Sequence, residues 1–324
     1  MKDHKKKLEQ ARGLWIGIGG VLLLTFVGII FSTSVIGDRS RSEQQEGARK
    51  EISGQPVQAV QIIEEPGSGL SEQAGAESEK QEGPEAPGAE DGSVEAAEPV
   101  DLQRILAEMK GYWEAGNMEA VRDLAHLARY RETSAQLAGT TRYYYMGDTD
   151  TENRPHGKGL AIYADHQYYY GSWKDGLRDG DGMWIKYYVY GEAGPAEEDL
   201  YLTHSYTGEW KADLPHGKGA QHYELIEEHL KEHEGYNRNF IGTFEKGYYH
   251  GEMYITNYYR GGNVKEWTGH AIQGVWQPMG TKDKEGRYPV IVEIKNDENY
   301  QWMHEKENKD AGVTGLISPV KKQG

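Results

Sequence analysis

The sequence predicts a mostly β chain built from repeated hairpins, and three observations carry that reading. The first is one stretch, Tyr169 to Gly182, which reads Y-x-G-x-W-x-x-G-x-x-D-G-x-G. Tyr169, Gly171 and Trp173 stand two apart, so on a strand they share a face, as do Gly180 and Gly182 on the returning arm. Lys174 to Asp179, with Gly176 inside, is rich in turn formers, so the two arms read as a hairpin. Rings on one arm can then lie over bare glycine backbone on the other. The second observation is recurrence. Tyr206, Gly208, Trp210, His216, Gly217 and Gly219 repeat the offsets, with Asp213 standing where the first copy has Gly176. Phe240, Gly242, Phe244, Gly247, His250 and Gly251 repeat them again, with Met253 in place of the last glycine. The third is composition: 42 glycines and 23 tyrosines against 4 phenylalanines suit half-buried pleated surfaces whose rings pack while their hydroxyls stay wet.

Weaker copies flank these. Tyr145, Gly147, His156, Gly157 and Gly159 precede them, with one extra residue in the turn and Asp148 or Thr149 at the tryptophan position. Trp267, Gly269 and Gly274 follow, and the pattern fades at Gln277-Pro278. Taken together, residues 142–279 resemble MORN repeats. The resemblance implies stacked hairpins in an elongated single-layer sheet, repeating every ~23 residues as a quasi-one-dimensional array. It also implies a role in assembly or binding, and no reaction. His156 to Asp179 keeps a spacing of 23, whereas Asp179 to His216 spans 37 and His216 to His250 spans 34, so two insertions interrupt the stack.

Composition narrows the function classes. A formal net charge of −16 argues against nucleic acid and against electrostatic attachment to anionic lipid. The absence of cysteine removes disulfides, Cys-ligated zinc and cysteine nucleophiles. No cofactor is implied.

Along the chain, residues 1–12 form a short basic tail with Lys2, Lys5, Lys6, Lys7 and Arg12. Residues 13–37 carry no charge, and as a helix they would rise ~37 Å, enough to cross a ~30 Å hydrocarbon core with tilt. The positive-inside rule places the tail in the cytoplasm and the rest outside, against a modest counterweight of Arg39, Arg41, Arg49 and Lys50. A cleaved signal peptide is the competing reading, disfavoured by the length of the apolar run. Residues 38–100 read as a disordered acidic linker, with twelve acidic residues against Lys80 alone between Glu51 and Pro99. Residues 101–139 read as an αα-hairpin of two amphipathic helices, N-capped by Asp101 and interrupted at Gly116-Asn117, docking on the first hairpin of the sheet to cap that end of the stack, or serving as a docking site for a partner helix. The first insertion, Tyr187 to Ser205, reads as lengthened strands and a polar loop, and the second, Glu224 to Asn239, holds a short helix from Leu225 to Glu234. Residues 280–303 read as a terminal hairpin turning at Asn296-Asp297 and covering the far edge. Residues 304–324 read as a frayed polar tail.

Few constellations could carry chemistry. His229-Leu230-Lys231-Glu232-His233 fits H-x-x-E-H, a zinc-protease pattern, but its helix is short, polar and placed in a loop. His156, His216 and His250 share one offset with Asp179, which reads as a turn-stabilising hydrogen bond rather than a ligand ladder. No Ser-His-Asp arrangement is visible, and no metal or catalytic residue is assigned. The motif aromatics Tyr169, Trp173, Tyr206, Trp210, Phe240 and Phe244 read first as the sheet's own core. The off-motif rings Tyr168, Tyr170, Trp184, Tyr187, Tyr188, Tyr190, Tyr258 and Tyr259 are then the expected exposed surface. The expected function is a non-enzymatic, single-pass membrane-anchored module that presents a β-sheet to a protein or cell-surface polymer. The alternatives are an extracytoplasmic hydrolase or carbohydrate-active protein using the insertion loops, and a binder of phospholipid headgroups.

Overall fold

The computed structural model of the chain describes residues 60–64, 101–124, 127–188, 201–225, 235–259 and 262–317. The basic tail, the uncharged run 13–37, nearly all of the acidic linker, residues 189–200 of the first insertion, residues 226–234 of the second and the last seven residues lie outside them. Among the described residues no helix is long and apolar enough to cross a membrane.

One antiparallel sheet of 13 strands dominates. It is a meander, with strands in chain order: β1 (Gln61–Glu64), β2 (Arg142–Thr149), β3 (Pro155–Tyr163), β4 (Gln167–Lys174), β5 (Leu177–Tyr187), β6 (Tyr201–Lys211), β7 (Leu214–Leu225), β8 (Asn237–Glu245), β9 (Tyr248–Tyr258), β10 (Val264–Ile272), β12 (Arg287–Glu293) and β13 (Asn296–His304), with β11 (Val275–Trp276) paired to β10. The hairpin tips are two-residue turns with both residues left-handed: Asp175-Gly176 (φ 53°, 87°), Ala212-Asp213 (47°, 68°), Lys246-Gly247 (52°, 87°) and Gln273-Gly274 (48°, 79°). That geometry matches the right-handed twist of the arms it joins. Each tip also reaches the hairpin before it. The amides of Gly176, Asp213, Gly247 and Gly274 donate to the carbonyls of Pro155, Arg178, Pro215 and Tyr249 at 2.8–3.0 Å.

The register explains the motif. Gly147, Gly159, Gly171, Gly182, Gly208, Gly219 and Gly242 face one another strand after strand, and the row continues through Met253 to Gly269. Tyr145, Tyr169 and Tyr206 stand two residues before a glycine and lie across the pair. A Cβ added at Gly159, Gly182 or Gly219 would stand 2.5 Å from the ring Cζ of the tyrosine above it. After the first glycine of each hairpin the pairing slips, at Asp148, Ser172, Glu209 and Thr243. Such a bulge leaves a residue out of the ladder. The tyrosine hydroxyls donate to the carbonyls of three of these residues: Tyr145 to Asp148 at 2.6 Å, Tyr169 to Ser172 at 2.9 Å and Tyr206 to Glu209 at 3.0 Å. Phe240 has no hydroxyl for the fourth bulge, and there Met253 covers Gly242 with its sulfur.

Tryptophans bind the copies together. Trp173 Nε1 donates to the Gly159 carbonyl and Trp210 Nε1 to that of Gly182, each at 3.1 Å and each into the preceding hairpin. Edge-on ring contacts run from Tyr145 to Trp173 (5.3 Å), Tyr169 (5.2 Å), Trp210 (5.1 Å), Tyr206 (5.3 Å), Phe244 (4.8 Å) and Tyr249 (5.5 Å). Each such pair adds about 0.5–1.5 kcal/mol beyond the area it buries.

The opposite face of the first two hairpins is also apolar, and this corrects the expected role of residues 101–139. They form three helices, α1 (Leu102–Glu114), α2 (Met118–Arg122) and α3 (Ala128–Ala135), rather than two. They do dock on the first hairpin as expected, but on the face made by Tyr144, Met146, Leu160, Ile162, Tyr168, Ile185 and Tyr187, which extends to the second, and the end of the stack is left to β1. Strand alternation places those side chains opposite the tyrosine lids, so they need a cover of their own. Asp101 caps α1 through the Arg104 amide at 3.2 Å, and Asn117 caps α2 through that of Ala120 at 3.1 Å. The edge at β2 is occupied by β1, a strand within the segment expected to be structureless: Ile62 and Ile63 pair with Tyr144 and Tyr143. The last hairpin turns at Ile294-Lys295, since Glu293 pairs with Asn296, and not at Asn296-Asp297.

The glycine row is open to direct test. Gly182→Ala places its methyl against the fully buried ring of Tyr169. It is expected to lower the free energy of urea unfolding by about 1–3 kcal/mol. In a Tyr169→Leu background the same change costs measurably less.

Candidate functional site

The tyrosine-lidded face carries more than the repeats. After β13 the chain returns, and residues 311–317 run back over this face from the last repeats toward the first. For residues 304–317 this overturns the reading of a frayed tail; the rest of that tail lies outside the described residues. Ala311, Val313, Leu316 and Ile317 are apolar within an otherwise polar stretch, and they pack against the ring cluster. The start of the segment is fastened to hairpin tips. Ala311 N donates to the Gly274 carbonyl at 2.9 Å, Tyr249 N to that of Ala311 at 3.0 Å, and Val313 N to that of Gly247 at 2.9 Å. Gly312 touches Gly247 so closely that a Cβ there would stand 2.8 Å from Tyr248 Cα.

Farther along, buried side chains of the sheet hold the segment. Gln221 Nε2 donates to the Gly312 carbonyl at 3.2 Å and Gln167 Nε2 to that of Gly315 at 2.9 Å. Gln167 Oε1 accepts from Ile317 N at 3.1 Å, and Arg178 Nη2 donates to the Ile317 carbonyl at 2.7 Å. All four bonds go to main-chain atoms. The sheet fixes each of these side chains independently. Trp184 Nε1 donates to Gln167 Oε1 at 2.9 Å, and the Tyr249 hydroxyl donates to Gln221 Oε1 at 2.5 Å. Asp213 Oδ1 accepts from both the amide and the Nε of Arg178, at 2.9 and 3.0 Å.

Arg178 and Asp213 form the one ion pair with both side chains buried among the described residues, at 0% and 3% exposure. The guanidinium lies 5.0 Å from the Trp210 ring, 5.4 Å from Tyr163 and 5.7 Å from Tyr169. Burial pulls its pKa down, but Tyr163 and Asp213 outweigh that and hold it above the usual value. His204 is buried beside Gln221, with its Nε2 2.7 Å from the amide nitrogen, edge-on to Trp184 at 4.9 Å and stacked on Tyr223 at 4.1 Å. Burial, reinforced by the positive potential of His222 and Lys186, lowers its pKa to about 3, so it is neutral at neutral pH.

The rings expected on the surface are largely inside. Tyr168, Trp184 and Tyr187 are fully buried, at 0%, 0% and 1% exposure. Tyr168 and Tyr187 face the helices, donating to the carbonyls of Tyr130 and Val121, while Trp184 shares the face of Tyr169. Tyr170 stacks on Trp113 at 6.1 Å. Tyr188, Tyr258 and Tyr259 are half-buried, and Tyr190 lies outside the described residues. These rings form no common surface, because alternation sends them to both sides of the sheet, and the helices bury those on one side of the first two hairpins. The motif rings Tyr169, Trp173, Tyr206, Trp210 and Phe244 are core, and Phe240 is partly exposed against Tyr249 at 5.4 Å.

The shared His/Asp offset gathers no ligand set. Asp179 Oδ2 accepts from the Ala212 amide at 3.3 Å, bracing the next tip, and His250 Nδ1 lies 3.0 Å from Glu245. Asp150, His156 and Asp175 do converge, with ligand atoms within 4.8 Å of one another. Arg154 supplies the cation there, 2.8 Å from Asp150 and 3.6 Å from Asp175. The His229–His233 motif lies outside the described residues. The residues that sequence reasoning passed over are Gln167, Arg178, His204, Asp213 and Gln221. One signal was available: Gln221 occupies the register taken by Trp184 and Ile255 in neighbouring copies, a polar group where the core wants an apolar one.

The profile of the MORN repeat matches residues 151–168, 169–185 and 206–224. The chain carries MORN repeats. The copies at Phe240 and Trp267 fall outside the matched residues yet keep the register of the matched MORN hairpins. Over 72 residues the chain is 33% identical to a protein described as an inactive protein tyrosine kinase, pTKL, of Plasmodium berghei (strain Anka). The match covers 22% of this chain and 4% of that much longer relative.

Two measurements probe the buried polar groups. Asp213→Asn strands the Arg178 cation and is expected to cost about 3–5 kcal/mol in urea unfolding, whereas Arg178→Leu with Asp213→Gly recovers most of the loss. His204 has a folded pKa near 3 against an ordinary 6.5, so the unfolded chain binds its proton first. Its contribution is complete above pH 6.5 and is lost as pH falls from there toward 3. The slope of stability against pH in that window should therefore be shallower in His204→Gln than in the unsubstituted protein.

Proposed function

We propose that this chain is a non-enzymatic, membrane-anchored repeat module that presents its MORN sheet to other proteins. The observation that carries the reading is the lidded face, which accepts a stretch of polypeptide outside any helix or strand through hydrogen bonds to its main chain. That is the chemistry of peptide recognition, and sugar or headgroup binding has no counterpart in it. The net charge of −16 opposes attachment to anionic headgroups. The buried titratable groups point the same way: Asp213 and His204 are sequestered in the sheet, and Arg178 turns to a main-chain carbonyl. Residues 13–37 supply the anchor, the acidic linker the spacer, and the basic first twelve residues the cytoplasmic side.

The topology is tested on intact cells carrying a C-terminal tag. External protease is expected to remove the tag and leave an N-terminal fragment with the membrane; a protected tag overturns the orientation. Binding is tested by selecting displayed peptides on the full chain, with anionic liposomes and cell-surface polysaccharide offered in parallel. Enrichment of peptides without liposome flotation is the expected result. Turnover of the polysaccharide, or flotation alone, overturns the protein-binding reading.

A further inference from the structure

The way residues 311–317 are held differs from the way the rest of the chain is held. The segment joins the sheet by one bridge, Tyr248 with Gly312, and by no ladder. Of its residues Gly312 alone is buried: Val313, Leu316 and Ile317 are half-exposed, and Thr314 and Gly315 are open to solvent. Gln167, Gln221 and Arg178 are already fixed by Trp184, Tyr249 and Asp213, and they grip only its carbonyls and one amide. Beneath it the edge-on ring series closes the core from strand to strand without using the segment. The receptor is therefore preorganised and the occupant weakly committed. Recognition through main-chain atoms admits other sequences, within two limits: a small residue where Gly312 passes Gly247, because a Cβ there meets backbone, and glycine at the bend of Gly315, whose φ of 71° is left-handed.

We propose that this face is a peptide groove whose built-in occupant, Ala311–Ile317, is exchangeable, and that the groove takes instead a peptide of a partner protein that bends as this segment does at Gly315. The partner segment has glycine at the positions of Gly312 and Gly315 and branched aliphatic residues at those of Val313, Leu316 and Ile317. The inference rests on the protein-binding reading above and adds to it the class of partner and a competing segment in cis. While docked, the segment lowers the apparent affinity for any such partner by the fraction of time it is open.

The test uses the full chain and a fluorescein-labelled peptide of residues 309–319. Leu316→Asp with Ile317→Asp undocks the segment without touching the residues that grip it. That variant should bind the peptide about tenfold or more tightly than the unsubstituted chain, whose groove is occupied. A peptide carrying valine at the position of Gly312 should not bind. In the unsubstituted chain, hydrogen exchange at Val313 and Ile317 should run about 100-fold or more faster than at the amides of β4–β7, as local opening requires.

A folded double variant that ignores the peptide overturns the proposal, as does binding that tolerates valine. Segment amides protected as long as those of the strands overturn it too, and this measurement decides alone if the double variant does not fold. A concentration-dependent dimer of the unsubstituted chain, formed by trading segments, would assign the groove to a second copy and overturn the partner assignment. The two readings fail separately. Foreign peptides that bind a chain whose segment never opens leave the protein-binding reading standing and remove this one. A segment that exchanges in a chain selecting no foreign peptide does the reverse.

Discussion

A tyrosine ring lying on two facing glycines is the contact on which the sheet depends. Its three parts require one another. The glycines must lack side chains because the ring occupies the place of both Cβ atoms. The ring must be tyrosine because the bulge beside it leaves a carbonyl that the hydroxyl reaches, as at Ser172 and Glu209. The bulge, in turn, shifts the arm so that the tryptophan two residues after the glycine reaches the previous copy, Trp173 to Gly159 and Trp210 to Gly182. The copy built on Phe240 shows the dependence by exception. Without the hydroxyl, the second glycine becomes Met253, and a thioether covers the remaining glycine.

A sheet made this way has a problem at its other surface. Alternation that places Tyr145, Tyr169 and Tyr206 on one side places Tyr144, Tyr168 and Tyr187 on the other, and both sets are apolar. A single layer of strands cannot bury either face by itself. The chain covers one with α1–α3, fastened by tyrosine hydroxyls to helix carbonyls, and part of the other with its own C-terminal segment. Both covers come from outside the repeats, one from before them and one from after.

That division explains what could be read from the sequence. Tyr169, Gly171, Trp173, Gly180 and Gly182 announce a hairpin because every contact they imply is within one copy or the next, and spacing encodes it. The same locality makes the four tips legible from Gly176, Asp213, Gly247 and Gly274. The bulge at Ser172 is invisible, since it follows from register and not from residue type. Arg178 and Asp213 lie 35 residues apart and look like two surface charges until adjacent hairpins bring them together. Gln167 and Gly315 are separated by 148 residues, so nothing local marks either. The strand at Gln61–Glu64 was hidden by acidic surroundings, although Ile62-Ile63 is a β-branched pair that an open edge can recruit. The rings expected at the surface were misplaced for one reason: the reading gave the sheet a single buried face, and it has two.

A stack of hairpins joined only to their neighbours is a one-dimensional system, in which stability adds copy by copy and the ends fray first. The segment 311–317 changes that order. It ties the tips at Gly247 and Gly274, late in the stack, to Gln167 and Arg178, early in it. Strands that share no ladder are thereby coupled, so opening the segment lowers the cooperativity of the whole sheet as well as baring the groove. An incoming peptide that restored the same main-chain bonds would restore the coupling with it. Occupation of the groove and rigidity of the stack are, on this construction, one equilibrium. If the groove exchanges its occupant as proposed, the chain's own segment would set the threshold that a partner must exceed, because both would compete for the same carbonyl-gripping side chains.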